Sequence, residues 1–409
     1  MQPGLSLSSK VKAGAVRSFV FELHRDQYLA LRVTQEPPLD VVLTLQSPRE
    51  RWVPIDTQSP IPVPELLRVV APLNGLYILE VESSGDSAGP FRLEVVELRP
   101  ATARDRLTAK GQQTLAQAEK LRRQNGETSD LRALPLYEEA VDLFAQVGEA
   151  DNEGYARIQW ARVLKRRNRK DEAATALRGC LALPAGAQSL GTRARAAMML
   201  AEVASDLGNG AEAEAANRES LALWQQLGQT TWEAEVVNRL AHHASERGEL
   251  AQAERLYRDA LKLWEASEEA SSAAMVLGNL ASVYSLAGEP QLALDTAEEG
   301  LARAPKDMAP EDRAGILAQK GEALANLGRR EEAQGVFSEA LLLRSKGEPA
   351  KLAQLERRLA RLAYDQGNYD EASRQFRNAL TVLTTAQDWQ SVIATRQDLA
   401  WTELKRGHL

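Results

Sequence analysis

Apolar and polar residues alternate with a period of two from Leu5 to about Leu98, and from Ala103 onward apolar residues recur three and four apart. A period of two places one face of a strand in a core, and a 3.6-residue period does the same for a helix. "VRSFVFEL", "QYLALRVTQ", "DVVLTLQS", "GLYILEVES" and "GPFRLEVVEL" read as strands, separated by Pro, Gly, Asp and Ser. Phe19, Phe21 and Leu23 share one face, as do Leu29, Leu31 and Val33, then Tyr77, Leu79 and Val81, then Phe91, Leu93 and Val95. These are the inward faces of a small β-sandwich of about seven or eight strands. Pro54 to Pro64 carries four prolines and reads as a loop or edge, because proline cannot donate to a sheet ladder. The predicted fold class is multidomain: an all-β sandwich over residues 1–100, then an all-α solenoid over 101–409 of about seven helical hairpins plus a terminal helix.

The solenoid follows from a frame set by "LARLAYDQGNYDEASRQFRNAL", Leu359 to Leu380. Gly367 stops one helix and a second starts at Asn368 or Tyr369, with Ala372, Phe376 and Ala379 on one face. The same turn falls at Asn168, Gly208, Gly248, Gly288, Gly328, Gly367 and Gly407, spaced by 40 residues and once by 39. A small residue follows each time, at Ala173, Ala213, Ala253, Ala293, Ala333 and Ala372. Glycine suits a left-handed helix stop, and alanine lets two helix backbones approach. A fixed period of this size means stacked copies of one unit, since a lone hairpin cannot bury its apolar face.

"LAHHASERGELAQAERLYRDAL" (Leu240 to Leu261) resembles the tetratricopeptide repeat (TPR) family, with its roles on Leu240, Ala241, Gly248, Ala253, Tyr257 and Ala260. The family's usual repeat has roughly 34 residues. Extra residues here lengthen the helices, and "LALW" and "LKLW" place Trp224 and Trp264 at equivalent points near the ends of second helices. That resembles the long-repeat TPR proteins. In the first hundred residues "LDVVLTLQSP", "APLNGLYILEVES" and "GPFRLEVVEL" resemble the bacterial pre-peptidase C-terminal β-domain, with Asp40, Gly75, Tyr77, Gly89 and Phe91 in its motif positions. The resemblance implies that the Gly-Tyr strand pairs toward the final strand.

Pro100 marks the boundary between strand and helix. The first hairpin is read as irregular: a helix from about Ala103 to Gln124, a long turn through "NGETSD", and a partner from Leu131 to Phe144 with Pro135 in its first turn. Later pairs break near Ala150 to Asn152, Pro184 to Ser189, Gly228 to Thr231, Ser267, Pro305 to Pro310, Gly347 to Pro349 and Thr384 to Asp388. Pro310 fits a first helical residue and Asp388 an N-cap. The last helix, about Trp389 to Arg406, ends on the turn of an eighth repeat, so the sequence reads as the front part of a longer protein.

Net charge is −7 with acids and bases interspersed, which argues against a nucleic-acid or anionic-membrane footprint. No apolar run approaches the roughly 18 residues of a membrane span, and "MQPGLSLSSK" has no signal core, so the chain reads as soluble. That describes a cytoplasmic protein as given, or a periplasmic or secreted one whose signal peptide has been removed. Cys180 is the only cysteine and stands where other repeats carry Ala260 or Ala340, a packing position rather than a nucleophile or ligand.

No phosphate loop, GxGxxG or HExxH is present, and no cofactor, metal or catalytic set is expected. His242 and His243 are adjacent, about 100° apart around a helix, and by that geometry cannot share a metal. What remains is the face of the first helices, which lines the concave groove in TPR stacks. Mapped from each Leu-Ala pair, the partner-binding candidates are Arg162, Lys165, Arg166, Arg195, Met198, Glu202, Asn238 and His242. Asn279, Ser282, Gln319, Glu322, Arg361, Tyr364, Gln397 and Trp401 complete the set. Asn238 and Asn279 resemble the groove asparagines that hold peptide backbone in TPR proteins. "RVLKRRNRK", Arg162 to Lys170, reads either as a solvated turn or as an anchor for an acidic peptide. The expected ligand is a protein or peptide. The order of domains resembles the front of bacterial CHAT-domain proteins, whose later part is a caspase- and separase-like cysteine protease. The resemblance implies a sensing or substrate-recruiting arm for such a peptidase; the alternative is a free-standing scaffold or chaperone adaptor.

Overall fold

A computed structural model describes residues 4, 6–36, 39–49, 65–83, 87–184, 186, 188–344, 349–386 and 388–407. The proline-rich stretch Pro54 to Pro64 and the break at Gly347 lie outside the described residues. Two compact units follow one another, Met1–Leu227 and Gly228–Leu409.

Among the described residues the first unit opens with seven strands: β1 (Ser6–Val11), β2 (Val16–Leu23), β3 (Gln27–Gln35), β4 (Val41–Gln46), β5 (Glu65–Val70), β6 (Gly75–Ser83) and β7 (Gly89–Pro100). They form two antiparallel sheets, ordered β1-β7-β3-β5 and β2-β6-β4. The period-two pattern decides their facing: Leu29, Leu31 and Val33 of one sheet and Tyr77, Leu79 and Val81 of the other are wholly buried in one core. Tyr77 keeps its hydroxyl satisfied by donating to Leu73 O at 2.9 Å. The expected pairing of the Gly-Tyr strand with the final strand is not what forms. Both edges of β6 are taken by β2 and β4, and β7 belongs to the opposite sheet.

Six helices complete this unit: α1 (Ala103–Arg123), α2 (Glu127–Val147), α3 (Ala150–Arg166), α4 (Lys170–Leu181), α5 (Leu190–Asp206) and α6 (Gly210–Gln226). Thr102 caps α1 in a capping box with Asp105. Helix α1 also seats the sandwich. The Gln112 amide donates to Leu66 O at 2.7 Å and accepts from Arg68 N at 2.9 Å, occupying backbone groups on the edge strand β5. Arg68 reaches Glu149 at 3.0 Å and Arg106 reaches Asp26 at 2.7 Å.

The first hairpin differs from its sequence reading. Helix α2 begins at Glu127, so only Gln124 to Gly126 form the turn and Pro135 lies well inside the helix. The reason is local: Gly126 N donates to Ser129 Oγ at 3.0 Å, which starts the helix inside the segment "NGETSD".

The second unit holds α7 (Thr230–Glu246), α8 (Leu250–Ala266), α9 (Ala270–Leu286), α10 (Pro290–Arg303), α11 (Pro310–Asn326), α12 (Arg330–Leu343), α13 (Pro349–Asp365), α14 (Tyr369–Thr385) and α15 (Trp389–Arg406). Consecutive helices pair as hairpins. Gly248, Gly288, Gly328, Gly367 and Gly407 have φ between 76° and 79°, the left-handed stop that only glycine adopts without strain. Ala253, Ala293, Ala333 and Ala372 are fully buried at the helix crossings. Close approach also explains Gly321: a Cβ there would lie 2.5 Å from the buried Phe337 ring. Pro310 opens α11, and Asp388 caps α15 by accepting from Ser391 N at 3.2 Å.

Candidate functional site: a groove along the first helices

In the second unit the inward stripe of each first helix runs with steps of three, four and three residues. On α9 it is Ser272, Met275, Asn279 and Ser282; on α13 it is Lys351, Gln354, Arg358 and Arg361. Four such stripes enclose a cavity of about 470 Å³ lined by Asn238 and His242 of α7, Met275 and Asn279 of α9, Gln319 of α11, and Lys351 and Gln354 of α13, among others. Asn279 Nδ2 donates to Asn238 Oδ1 at 3.3 Å. That bond uses one donor and one acceptor, and each primary amide has two of both.

Four of the sequence candidates, Asn238, His242, Asn279 and Gln319, therefore meet in one cavity. Glu322 and Arg361 line a smaller one of about 80 Å³, where Arg358 sits 3.6 Å from Glu322 and donates to Ala318 O at 2.8 Å. Burial lowers the Arg358 pKa. Arg361, Tyr364 and Trp401 line a third of about 180 Å³, with Asp398 3.8 Å from Arg361. Ser282 is half-buried on α9 and Gln397 is exposed on α15, outside these three cavities. Lys351, Gln354 and Arg358 were missed because the α13 candidates, Arg361 and Tyr364, cover only the C-terminal end of that helix. The three-four-three spacing marks them.

In the first unit Arg162, Lys165 and Arg166 lie on α3, and Arg195, Met198 and Glu202 on α5. The basic run is engaged by the chain's own acids. Lys165 pairs with Glu202 and lies 3.5 Å from Asp206. Arg166 grips both carboxylate oxygens of the buried Asp130, one at 2.8 Å, and donates to Asn125 Oδ1 at 3.1 Å. Arg167 pairs with Glu127, and Arg169 holds Glu172 bidentately at 2.6 Å. Arg195 stacks over the Tyr155 ring at 5.9 Å; burial lowers its pKa and the Arg162 charge lowers it further. Met198 is half-buried beside them in sequence. Asp130 fills the bidentate fork of Arg166, which favours a structural use of this side chain over an anchor for an acidic peptide.

Cys180 is buried, and its Sγ accepts from Gln188 Nε2 at 3.0 Å. Burial pushes its thiol up to about 11, as suits a packing residue.

The two adjacent histidines share a third neighbour. One donor atom from each of His242, His243 and Glu246 lies within 4.8 Å of the others. Counting about 100° per residue, Glu246 falls about 40° from His242, between the two rings. The pair alone diverges; the carboxylate on the next turn brings the set together.

Comparison with known families places the repeats. Family models described as tetratricopeptide repeat match residues 192–266, 232–306 and 357–385. These segments are similar to tetratricopeptide repeats. The helical part shares its fold with solved structures, among them these three. The apo form of RapI is 16% identical over 67% of this chain and 98% of its own, at a TM-score of 0.56. Aspartyl phosphate phosphatase F from Bacillus subtilis is 15% identical over 69% of this chain and 72% of its own, at 0.52. A tetratricopeptide repeat protein from Parabacteroides merdae is 14% identical over 70% of this chain and 98% of its own, at 0.50. No curated protein matches by sequence. Among the described residues no helix is long and apolar enough to cross a membrane.

Proposed function

We propose that this chain is a protein-recognition scaffold whose TPR first helices hold an extended peptide. The observation that carries the reading is the 470 Å³ cavity in which Asn238 and Asn279, 41 residues apart in sequence, meet side by side. A peptide backbone presents alternating donors and acceptors, which primary amides match in either direction. The cavity is lined by amide and charged side chains together with the apolar Trp264, Met275 and Ile316, a mixture that suits binding a peptide. The finer reading is the recruiting arm of a CHAT-type peptidase, and its support is the order of the elements, a β-sandwich leading into long TPRs.

The test is selection of binders from a random peptide library, followed by calorimetry on variants. Asn238→Ala with Asn279→Ala should weaken the selected peptides by about 0.5–1.5 kcal/mol per lost hydrogen bond. Unchanged affinity in that variant, with loss on altering the exposed outer residue Lys262 of α8, would place the ligand on the second helices instead.

A further inference from the structure

Helix α7 carries a second constellation beside its amide stripe. His242 Nδ1 lies 3.5 Å and His243 Nδ1 3.3 Å from the same oxygen, Glu246 Oε2. An ion bound tetrahedrally at about 2.0–2.1 Å by imidazole nitrogen and carboxylate oxygen spaces its ligand atoms about 3.3–3.4 Å apart. Two of the three edges already match that spacing. The third lies within 4.8 Å, and the His242 side chain is 61% exposed, so its ring has room to turn toward the others.

We propose that His242, His243 and Glu246 form a three-ligand site for a divalent transition-metal ion of the Zn²⁺ type. Two imidazoles and one carboxylate are one of the donor sets of protein zinc sites that use three protein ligands, and they disfavour Mg²⁺ and Ca²⁺, which take oxygen ligands. A fourth coordination position stays open. His242 also lines the groove cavity, one helical turn from Asn238, so the open position lies at the groove's edge. There it is available to water, or to a carboxylate or imidazole brought by a bound polypeptide. The site stands on its own donors and holds whether or not the groove binds peptide.

The experiment uses the full chain, stripped of metal and of any affinity tag, titrated with Co²⁺ as an optical probe and then with Zn²⁺ in competition. The expected result is the visible d–d spectrum of a low-coordinate Co²⁺ site, displaced by Zn²⁺, with Zn²⁺ raising the melting temperature. Glu246→Gln and His242→Ala, both at exposed positions, should each lower Zn²⁺ affinity by about 10-fold or more. Their metal-free melting curves should match that of the unaltered chain, which separates lost ligation from lost folding. The chain has four histidines, so background sites are few. The proposal is overturned if no Co²⁺ spectrum develops, or if the spectrum survives in the His242→Ala, Glu246→Gln double variant.

Discussion

Two stripes of first-helix residues look alike in sequence and differ in what their neighbours have done with them. On α3 the cations Lys165 and Arg166 and, just beyond, Arg167 and Arg169 are matched by Glu202, Asp130, Glu127 and Glu172 of the same unit. On α7 and α9 the amides of Asn238 and Asn279 face a cavity and bond to each other. A dense basic run suggested a binding site, yet its charge is used to hold helices together. The quieter amides keep hydrogen-bonding capacity for something else. Binding potential on a repeat surface is thus measured by what remains after intramolecular partners are counted.

The comparison breaks most visibly at Arg166. If it is structural, Arg166→Ala leaves Asp130, 2% exposed, without its partner, and stability should fall by about 3 kcal/mol in denaturant melts. A variant as stable as the parent would show that Arg166 is free to serve a ligand after all.

Asp105 tests the same idea through pH. The Arg99 guanidinium, at 2.5 and 3.1 Å, and then Thr102 hold its carboxyl well below the usual carboxylate range. A depressed folded pKa stabilises at pH values above the unfolded one, about 4, and that contribution is lost as pH falls toward the folded value. Asp105→Asn should therefore cost about 1–2 kcal/mol near pH 7, and its stability should converge on the parent's in acid.

Cys180 sharpens the contrast between packing and chemistry. Its raised thiol pKa means a stabilising contribution that is complete below the unfolded value, about 8.5, and is lost as pH climbs toward the folded value of about 11. Iodoacetamide at pH 8 should leave it unmodified in the native chain and alkylate it in denaturant. Cys180→Ser should cost about 1–3 kcal/mol by placing a hydroxyl in its site.

The smallest effect belongs to the amide stripe. The Asn238→Ala, Asn279→Ala variant opens no core cavity, so its melting temperature should stay with the parent's. A drop as large as that expected for Arg166→Ala would make the amides structural and erase the distinction between the stripes.

By itself the sequence determined what is local and periodic. A glycine every 40 residues marks a left-handed stop because other residues are strained there, and Ala253, Ala333 and Ala372 mark crossings because a larger side chain would hold the helices apart. Strand faces such as Leu29, Leu31 and Val33 were legible for the same reason, since alternation is written in consecutive residues. The convergence of Glu246 on both histidines is equally local, and angle arithmetic extended by one turn finds it. Tertiary structure alone decided the partners. That β6 and β7 lie in different sheets, that Asp130 consumes Arg166 from 36 residues away, and that Asn238 reaches Asn279 all depend on which surfaces pack. A hydrogen bond or ion pair needs its atoms within about 3 Å, and spacing along the chain sets a face but not what that face will meet.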